Sequence, residues 1–330
     1  MQADSRLSMP NGSRLPVTVI TGFLGAGKTT LLNRILSEDH GKKYAVIINE
    51  FGEEGIDNDL VVDSDEEIFE MNNGCICCTV RGDLIRIINT LLKRDDNLDG
   101  MIIETTGLAD PAPVVQTFFV DDDVKEQVAL DAVITVVDAL HCLEALEDSH
   151  ESEEQIAFAD IILLNKIDLV KPDQLAKVRE RILSLNPFAK IFETSQSRAP
   201  LDQLLDCGAF DLSRILEIEP GLLTEEDDHE HDDSITSVSL KTSKPLAPEK
   251  FSQWIRSFIM ERGVDVLRSK GILNLSEQEN RYVFQGVHMV MDSAWGSPWG
   301  SDSRESRLVF IGRNLDEKQL QKEFLQCALP

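Results

Sequence analysis

Gly22-Phe23-Leu24-Gly25-Ala26-Gly27-Lys28-Thr29 fits the spacing G-x-x-x-x-G-K-[ST], the phosphate-binding P-loop. Its flanks give the string its weight. Val17-Thr18-Val19-Ile20-Thr21 runs before it, short and rich in β-branched residues, and reads as a buried parallel strand. Thr30-Leu31-Leu32-Asn33-Arg34-Ile35-Leu36 follows, with apolar residues spaced for a helix packed on a sheet. Strand, glycine loop and helix are what phosphate binding needs. The glycines turn backbone N–H groups toward the β-phosphate, and the helix N-terminus adds a positive partial charge. Gly22, Gly25, Ala26, Gly27, Lys28, Thr29 and Thr30 are therefore the expected cradle. Within it Lys28 reaches the β- and γ-phosphates and Thr29 puts its hydroxyl on Mg²⁺.

Outward from this loop, short apolar runs alternate with helical stretches. Ala45–Ile48, Met101–Ile103, Ala132–Val137 and Ile161–Leu164 read as strands, joined by Val17–Thr21 and by Lys190–Glu193. Arg81–Leu92 and Asp173–Leu185 read as helices between them. This alternation predicts an α/β domain with a mostly parallel sheet of about six strands and helices on both faces. The expected division has a disordered tail over 1–14, a P-loop domain over 15–218, an acidic linker over 219–234 and a smaller α+β domain over 235–330. The linker holds Thr224-Glu225-Glu226-Asp227-Asp228-His229-Glu230-His231-Asp232-Asp233, which has no apolar residue. His229 and His231 read first as solvated side chains and second as weak cation collectors. Beyond the linker, Ile235–Leu240, Tyr282–Met291 and Arg307–Ile311 read as strands. Pro248–Glu261 reads as a helix with Phe251, Trp254, Ile255, Phe258 and Ile259 on one face, and Asp316–Gln326 as a closing helix.

The chain of 330 residues has a formal net charge of −27. Such a balance repels nucleic acid and anionic membrane surfaces, so neither is an expected partner. No segment reaches the roughly 18 consecutive apolar residues of a membrane helix, and the polar stretch from Met1 to Arg14 lacks a signal-peptide core. A cytoplasmic location is the expectation.

Asn165-Lys166-Ile167-Asp168 directly follows the strand Ile161–Leu164 and matches N-K-x-D, the guanine motif of GTPases. Guanine presents N1–H and N2–H₂ side by side, and the Asp168 carboxylate can accept both. Adenine has no such pair, so a buried carboxylate would go unpaired at a cost of a few kcal/mol. Asn165 would bond the base edge or tie this loop to the P-loop, and Lys166 would lay its stem along the ring. Thr194-Ser195 sits where a GTPase places its last base-contacting loop, which nominates Ser195. Glu104-Thr105-Thr106-Gly107 follows another strand. Glu104 would hold Mg²⁺ directly or through water, and Gly107 would offer its N–H to the γ-phosphate. Asp138 ends the strand Ala132–Val137 and reads first as a helix cap and second as a further site residue. No glutamine for the attacking water and no arginine finger is evident, so slow intrinsic hydrolysis is expected.

Asn72-Asn73-Gly74-Cys75-Ile76-Cys77-Cys78 is the second sharp feature. Three thiols within four residues, after a turn signal, can supply three soft ligands and leave a fourth position open. Thiolate suits Zn²⁺, Cu⁺ or, less tightly, Co²⁺ and Ni²⁺. Metal binding comes ahead of redox chemistry and of plain burial. The segment lies between the P-loop and Glu104, where GTPases keep elements that respond to the γ-phosphate. Asn49-Glu50-Phe51-Gly52-Glu53-Glu54-Gly55 lies there too, so Glu50 and Glu53 are candidates for the metal shell or the Mg²⁺ shell.

Together these motifs resemble the CobW-type metallochaperone GTPases, cousins of the GTPases that mature urease and nickel hydrogenase. The carriers are the P-loop with Thr30, Asn49–Glu53, Gly74–Cys78, Glu104–Pro111 and Asn165–Asp168. Leu267–Gly271, Phe284–Val287 and Val309–Gly312 look like that family's C-terminal module. The resemblance covers nearly the whole chain from about Pro16. It implies GTP hydrolysis with Mg²⁺, a transition metal on Cys75, Cys77 and Cys78, and delivery to a client metalloprotein. Zinc comes first as cargo, with cobalt, nickel and iron also represented. Related P-loop proteins often pair across the nucleotide, which points to a homodimer. The family often carries a longer histidine-rich linker, whereas His229 and His231 stand alone amid carboxylates here. A metal-sensing or buffering protein tuned by its nucleotide is the alternative, and an ATP-driven motor or kinase the third reading.

Overall fold

The computed structural model describes residues 14–50, 68–72, 78–94, 98–210 and 235–330, with 49–50, 68–72 and 78–80 described by backbone alone. Glu53, Cys75, Cys77, His229, His231, nearly all of the 1–14 tail and the whole 219–234 linker lie outside the described residues.

The first part of the chain runs β1 (Leu15–Thr21), α1 (Lys28–Ser37), β2 (Tyr44–Glu50), β3 (Ile68–Asn72), α2 (Cys78–Leu92), β4 (Gly100–Thr105), α3 (Ala112–Val120), α4 (Asp122–Gln127) and β5 (Val128–Asp138). It continues with α5 (Cys142–Asp148), α6 (His150–Phe158), β6 (Ile161–Asn165), α7 (Pro172–Leu185) and β7 (Lys190–Glu193). The strands form a seven-stranded sheet in the order β3-β2-β4-β1-β5-β6-β7, and every pairing in it is parallel. The strand beyond the expected six is β3. Its sequence Ile-Phe-Glu-Met-Asn has a glutamate in the middle, so it lacks the unbroken apolar run that marks the other strands. Such a pattern suits the sheet edge that β3 occupies. α2 opens at Cys78, three residues before the expected Arg81.

Side chains alternate across this sheet and build two cores. Val17, Val19, Met101, Ile103 and Val133 face one way. Ile20, Ile102, Ile134 and Val136 face the other, where α1 buries Leu31, Leu32 and Ile35 against them. The β-branched runs near the sheet centre are buried on both sides, which is why they read as continuous apolar strings.

The last part of the chain runs β8 (Thr236–Thr242), α8 (Pro248–Arg262), β9 (Val266–Leu273), β10 (Asn280–Val287), β11 (Val290–Pro298), β12 (Ser306–Gly312) and α9 (Glu317–Gln326). Its antiparallel sheet has the order β11-β10-β9-β12-β8. One face lies under α8 and α9 through Phe251, Ile255, Phe310 and Phe324. The other face contributes Leu267, Val283, Val287 and Ile311 to the core of the parallel sheet. The stretch Tyr282–Met291, expected as one strand, is two strands that turn at His288-Met289. The turn carries no glycine, asparagine or proline, and His288 takes the left-handed backbone itself, at φ 51°. β9 was missed as a strand because Arg268, Ser269 and Lys270 interrupt its apolar pattern, yet all three are buried. No described helix is long and apolar enough to cross a membrane.

Candidate nucleotide and metal site

The parallel register lines up the carboxyl ends of the strands. Ile20 pairs with Glu104 and Ile134, Asp138 with Asn165, and Leu164 with Glu193. The loops that leave Thr21, Thr105, Asp138, Asn165 and Glu193 therefore gather at one edge of the sheet, where open α/β sheets bind ligands.

The P-loop leaves β1 and enters α1 at Gly27, which has φ 115°. That backbone is strained for any residue with a Cβ, and a Cβ there would also lie 2.5 Å from Asn165 Nδ2. No side chain caps α1, the arrangement in which a helix N-terminus turns its N–H groups to an anion. Lys28 is buried and donates Nζ to the carbonyls of Gly22 (2.8 Å) and Phe23 (3.4 Å). It thereby spans the mouth of the loop. Ala26 is buried, Thr29 half-buried, and Gly25 and Thr30 exposed. Glu104 is buried near the end of β4, and Thr105 Oγ1 donates to Thr21 Oγ1 at 2.9 Å. A threonine hydroxyl and a carboxylate, Thr29 and Glu104, are an oxygen donor set of the kind Mg²⁺ takes beside phosphate. Gly107 lies so close to the P-loop that a Cβ on it would be 2.7 Å from the Leu24 backbone nitrogen. Glycine is what lets the segment after β4 touch the phosphate loop.

Asn165 resolves the choice between base edge and loop tie in favour of the tie. It is 2% exposed and donates Nδ2 to the Ala26 carbonyl at 2.9 Å. Its Oδ1 accepts from Ser197 N–H (2.9 Å) and from Thr194 Oγ1 (3.3 Å). Ser197, missed in the sequence, donates Oγ to the Gly27 carbonyl at 3.1 Å. It stands in a Thr-Ser-Gln-Ser string whose polar residues look interchangeable, and φ 53° marks it as held in place. Ser195 beside it is half-buried and Asp168 is exposed. Both are open to an incoming base.

Lys166 donates Nζ to the Gly25 carbonyl (2.8 Å) and to Asp138 Oδ2 (2.7 Å). Asp138 is therefore more than a helix cap. It accepts from Leu140 N–H as a local cap would, but also from Lys166 and from His141 Nδ1. Burial alone would push the Asp138 carboxyl up, yet these three hydrogen bonds outweigh it and hold the group below the ordinary aspartate range. The anchored carboxylate fixes the lysine ammonium.

The cysteine segment connects to this edge through its flanks. β2 and β3 pair in parallel with Glu50 opposite Asn72, and Cys78 opens α2. Cys75, Cys77 and Glu53 lie outside the described residues, as do the side chains of Glu50 and Cys78. The chain's other three cysteines are Cys142, Cys207 and Cys327. Burial pushes the Cys142 thiol up to about 12 and the Cys207 thiol up to about 11, and raises Cys327. Near neutral pH these are protonated thiols, poor metal ligands. Among the described residues no group of three or more His, Cys, Asp or Glu could hold a metal ion.

Comparison with known proteins agrees with this geometry. The family model for the CobW/HypB/UreG nucleotide-binding domain matches residues 16–193, and that for the cobalamin synthesis protein cobW C-terminal domain matches residues 235–328. The zinc chaperone YjiA of Escherichia coli (strain K12) is 35% identical over 315 residues, covering 94% of this chain and 98% of its own. The zinc-regulated GTPase metalloprotein activator 1 of Schizosaccharomyces pombe is 35% identical over 341 aligned positions, covering 91% of this chain and 83% of its own. The crystal structure of Zn(II)-bound YjiA GTPase superposes with a TM-score of 0.78 at 31% identity, covering 96% of this chain and all of that one. The chain belongs to the CobW/HypB/UreG family, and it carries that family's nucleotide-binding domain followed by the cobW C-terminal domain.

Proposed function

We propose that this chain is a GTP-hydrolysing metallochaperone that takes a transition metal, zinc first, on Cys75, Cys77 and Cys78 and passes it to a client metalloprotein. The observation that carries this reading is the shared edge of the sheet. The P-loop, the Glu104 strand end and the paired strand ends Glu50 and Asn72 all lie there. The names of the relatives, zinc chaperones and zinc-regulated GTPases, support the same reading. The burial of Cys142 and Cys327, with Cys207 half-buried, also favours the Cys75–Cys78 segment as the source of thiolate.

In the proposed mechanism the α1 N-terminus, Gly22, Gly25, Ala26, Gly27 and Thr30 hold the phosphates. Lys28 leaves the Gly22 carbonyl for the β- and γ-phosphates, which costs little because one acceptor replaces another. Thr29 and Glu104 would hold Mg²⁺, which would supply positive charge against the phosphates. Asp168 reads guanine while Lys166 and Ser195 border the base. Gly107 touches the γ-phosphate on one side and packs against Leu24 on the other. In this reading loss of that phosphate would release the end of β2 at Glu50, and with it the metal held by the Cys75–Cys78 segment. Leu24 and Leu108 are more than half exposed at this edge, and Leu140 over a third, which supports pairing of two copies across the nucleotide. We read 15–218 and 235–330 as two domains joined by the acidic 219–234 segment.

The test is zinc release. Zinc-loaded protein with Mg²⁺ is mixed with a chromophoric chelator and either GTP or a non-hydrolysable analogue. Release that follows phosphate production with GTP, and is held back by the analogue, is the expected outcome. Equal release with both nucleotides would favour a buffering protein and end the chaperone reading.

A further inference from the structure

Helix α6 touches two separate parts of the chain. Gln155, 1% exposed, donates Nε2 to the carbonyls of Gly107 (3.1 Å) and Ala109 (3.2 Å). One primary amide thus fixes two carbonyls of the segment that follows Glu104. About 100° round the helix, Glu154 and Phe158 share an i,i+4 face toward the C-terminal sheet. Glu154 accepts from Arg313 Nη2 at 2.7 Å, just past the end of β12. The Phe158 ring lies 5.5 Å from the His288 ring at the β10–β11 turn. The Phe158 carbonyl accepts from Arg268 of β9 at 3.0 Å. Asp160, two residues on, accepts from Arg268 (2.5 Å) and Lys270 (2.7 Å), and its other oxygen accepts from Val133 N–H of β5.

We propose that Gln155 is the positioning residue that sets the Gly107–Ala109 segment for the γ-phosphate, and that α6 passes the position of that segment to the C-terminal sheet. The proposal rests on the reading of Gly107 as a γ-phosphate contact. A segment that moves when the γ-phosphate leaves must either give up both amide hydrogen bonds or take α6 with it. Breaking them leaves two carbonyls and a buried amide without partners, a costly outcome. Moving α6 shifts Glu154 against Arg313 and Phe158 against His288. The β10–β11 turn, already in left-handed backbone at His288, is where that shift arrives. Nucleotide state and the C-terminal sheet, one face of a client-handling protein, thereby become one equilibrium.

The test combines fluorescent-nucleotide binding with amide hydrogen exchange on the full chain with Mg²⁺. Gln155→Met keeps the size of the side chain and removes the donor. It is expected to weaken GTPγS binding about tenfold more than GDP binding, and to lower the melting temperature of the protein because the Gly107 and Ala109 carbonyls lose their donor. Gln155→Asn, whose shorter amide cannot reach both carbonyls, must show the same selective loss should the methionine variant fold poorly. In the wild type, replacing GDP by GTPγS changes exchange over 104–110 and over 286–290. Glu154→Gln keeps the first change and loses the second. An unaltered GTPγS-to-GDP ratio in both Gln155 variants, or an undiminished change at 286–290 in Glu154→Gln, overturns the proposal alone. Identical wild-type exchange over 104–110 with the two nucleotides overturns the reading of Gly107, and the proposal with it.

Discussion

Asp168 is exposed while Asn165, three residues before it, is buried among three hydrogen bonds. The two residues of one motif thus have different work. Asn165 holds the P-loop to the base-side loop, and Asp168 faces whatever arrives. Asp168→Ala is accordingly expected to fold normally and to lose about 100-fold in GTP affinity, roughly 3 kcal/mol for two hydrogen bonds to a carboxylate. Competition of GTP and ATP against a fluorescent nucleotide measures it, and intact guanine preference in the variant would sink the guanine assignment. The tie made by Asn165 was legible in the sequence because its chemistry belongs to a short fixed string. Ser197 was not, and Asp138 only as a second reading. Serine and aspartate are ordinary loop residues, and what singles these two out is a partner far along the chain, Gly27 for the one and Lys166 for the other.

At the scale of elements, the segment between β4 and α3 joins the phosphate loop to α6. Asp110 closes it, and its Oδ1 accepts from Ala112 N–H. Burial, helped by the charge of Glu154, pushes its carboxyl up from 3.8 to about 6. Between those values the folded protein keeps a proton that the unfolded chain has released. The group's contribution to stability is therefore complete below pH 3.8 and fades as the pH rises through about 6. Asp110→Asn keeps the acceptor and cannot ionise. Its stability relative to wild type is expected to grow between about pH 4 and 6.5 and then level off, as measured by urea unfolding. A difference that stays flat across that window would contradict the buried carboxyl. The elements themselves were legible wherever period and composition agreed, as in β1, α1 and β6. β3 and β9 escaped because polar residues break their pattern, one at a sheet edge and the other where the two sheets meet. Periodicity reports burial against a local neighbour, and the partners of Arg268 and Lys270 lie more than a hundred residues away.

Across the whole molecule, the two sheets are joined through a buried charge cluster. Asp160 accepts from Arg268 and Lys270, all three of them nearly inaccessible, and the Phe210 ring lies 4.5 Å from the Arg268 guanidinium. Asp160→Asn removes the buried carboxylate charge that Arg268 and Lys270 share and is expected to cost about 3–5 kcal/mol in urea unfolding. A loss under about 1 kcal/mol would mean that water reaches the cluster. The same junction sits at the opposite end of β6 from Asn165, so the core that carries the C-terminal sheet also supports the base-side loop. In the proposed mechanism this frame lets the γ-phosphate govern a thiolate metal site. That control is tested most directly by anaerobic zinc titration of the wild-type chain and of Cys77→Ala, each with Mg²⁺ and either GDP or GTPγS. Zinc affinity in the wild type is expected to differ by at least about tenfold between the two nucleotides, a coupling of about 1.4 kcal/mol. Cys77→Ala is expected to lose both tight binding and the nucleotide dependence. Zinc bound by Cys77→Ala as tightly as by the wild type, or a wild-type affinity indifferent to the nucleotide, would contradict the mechanism.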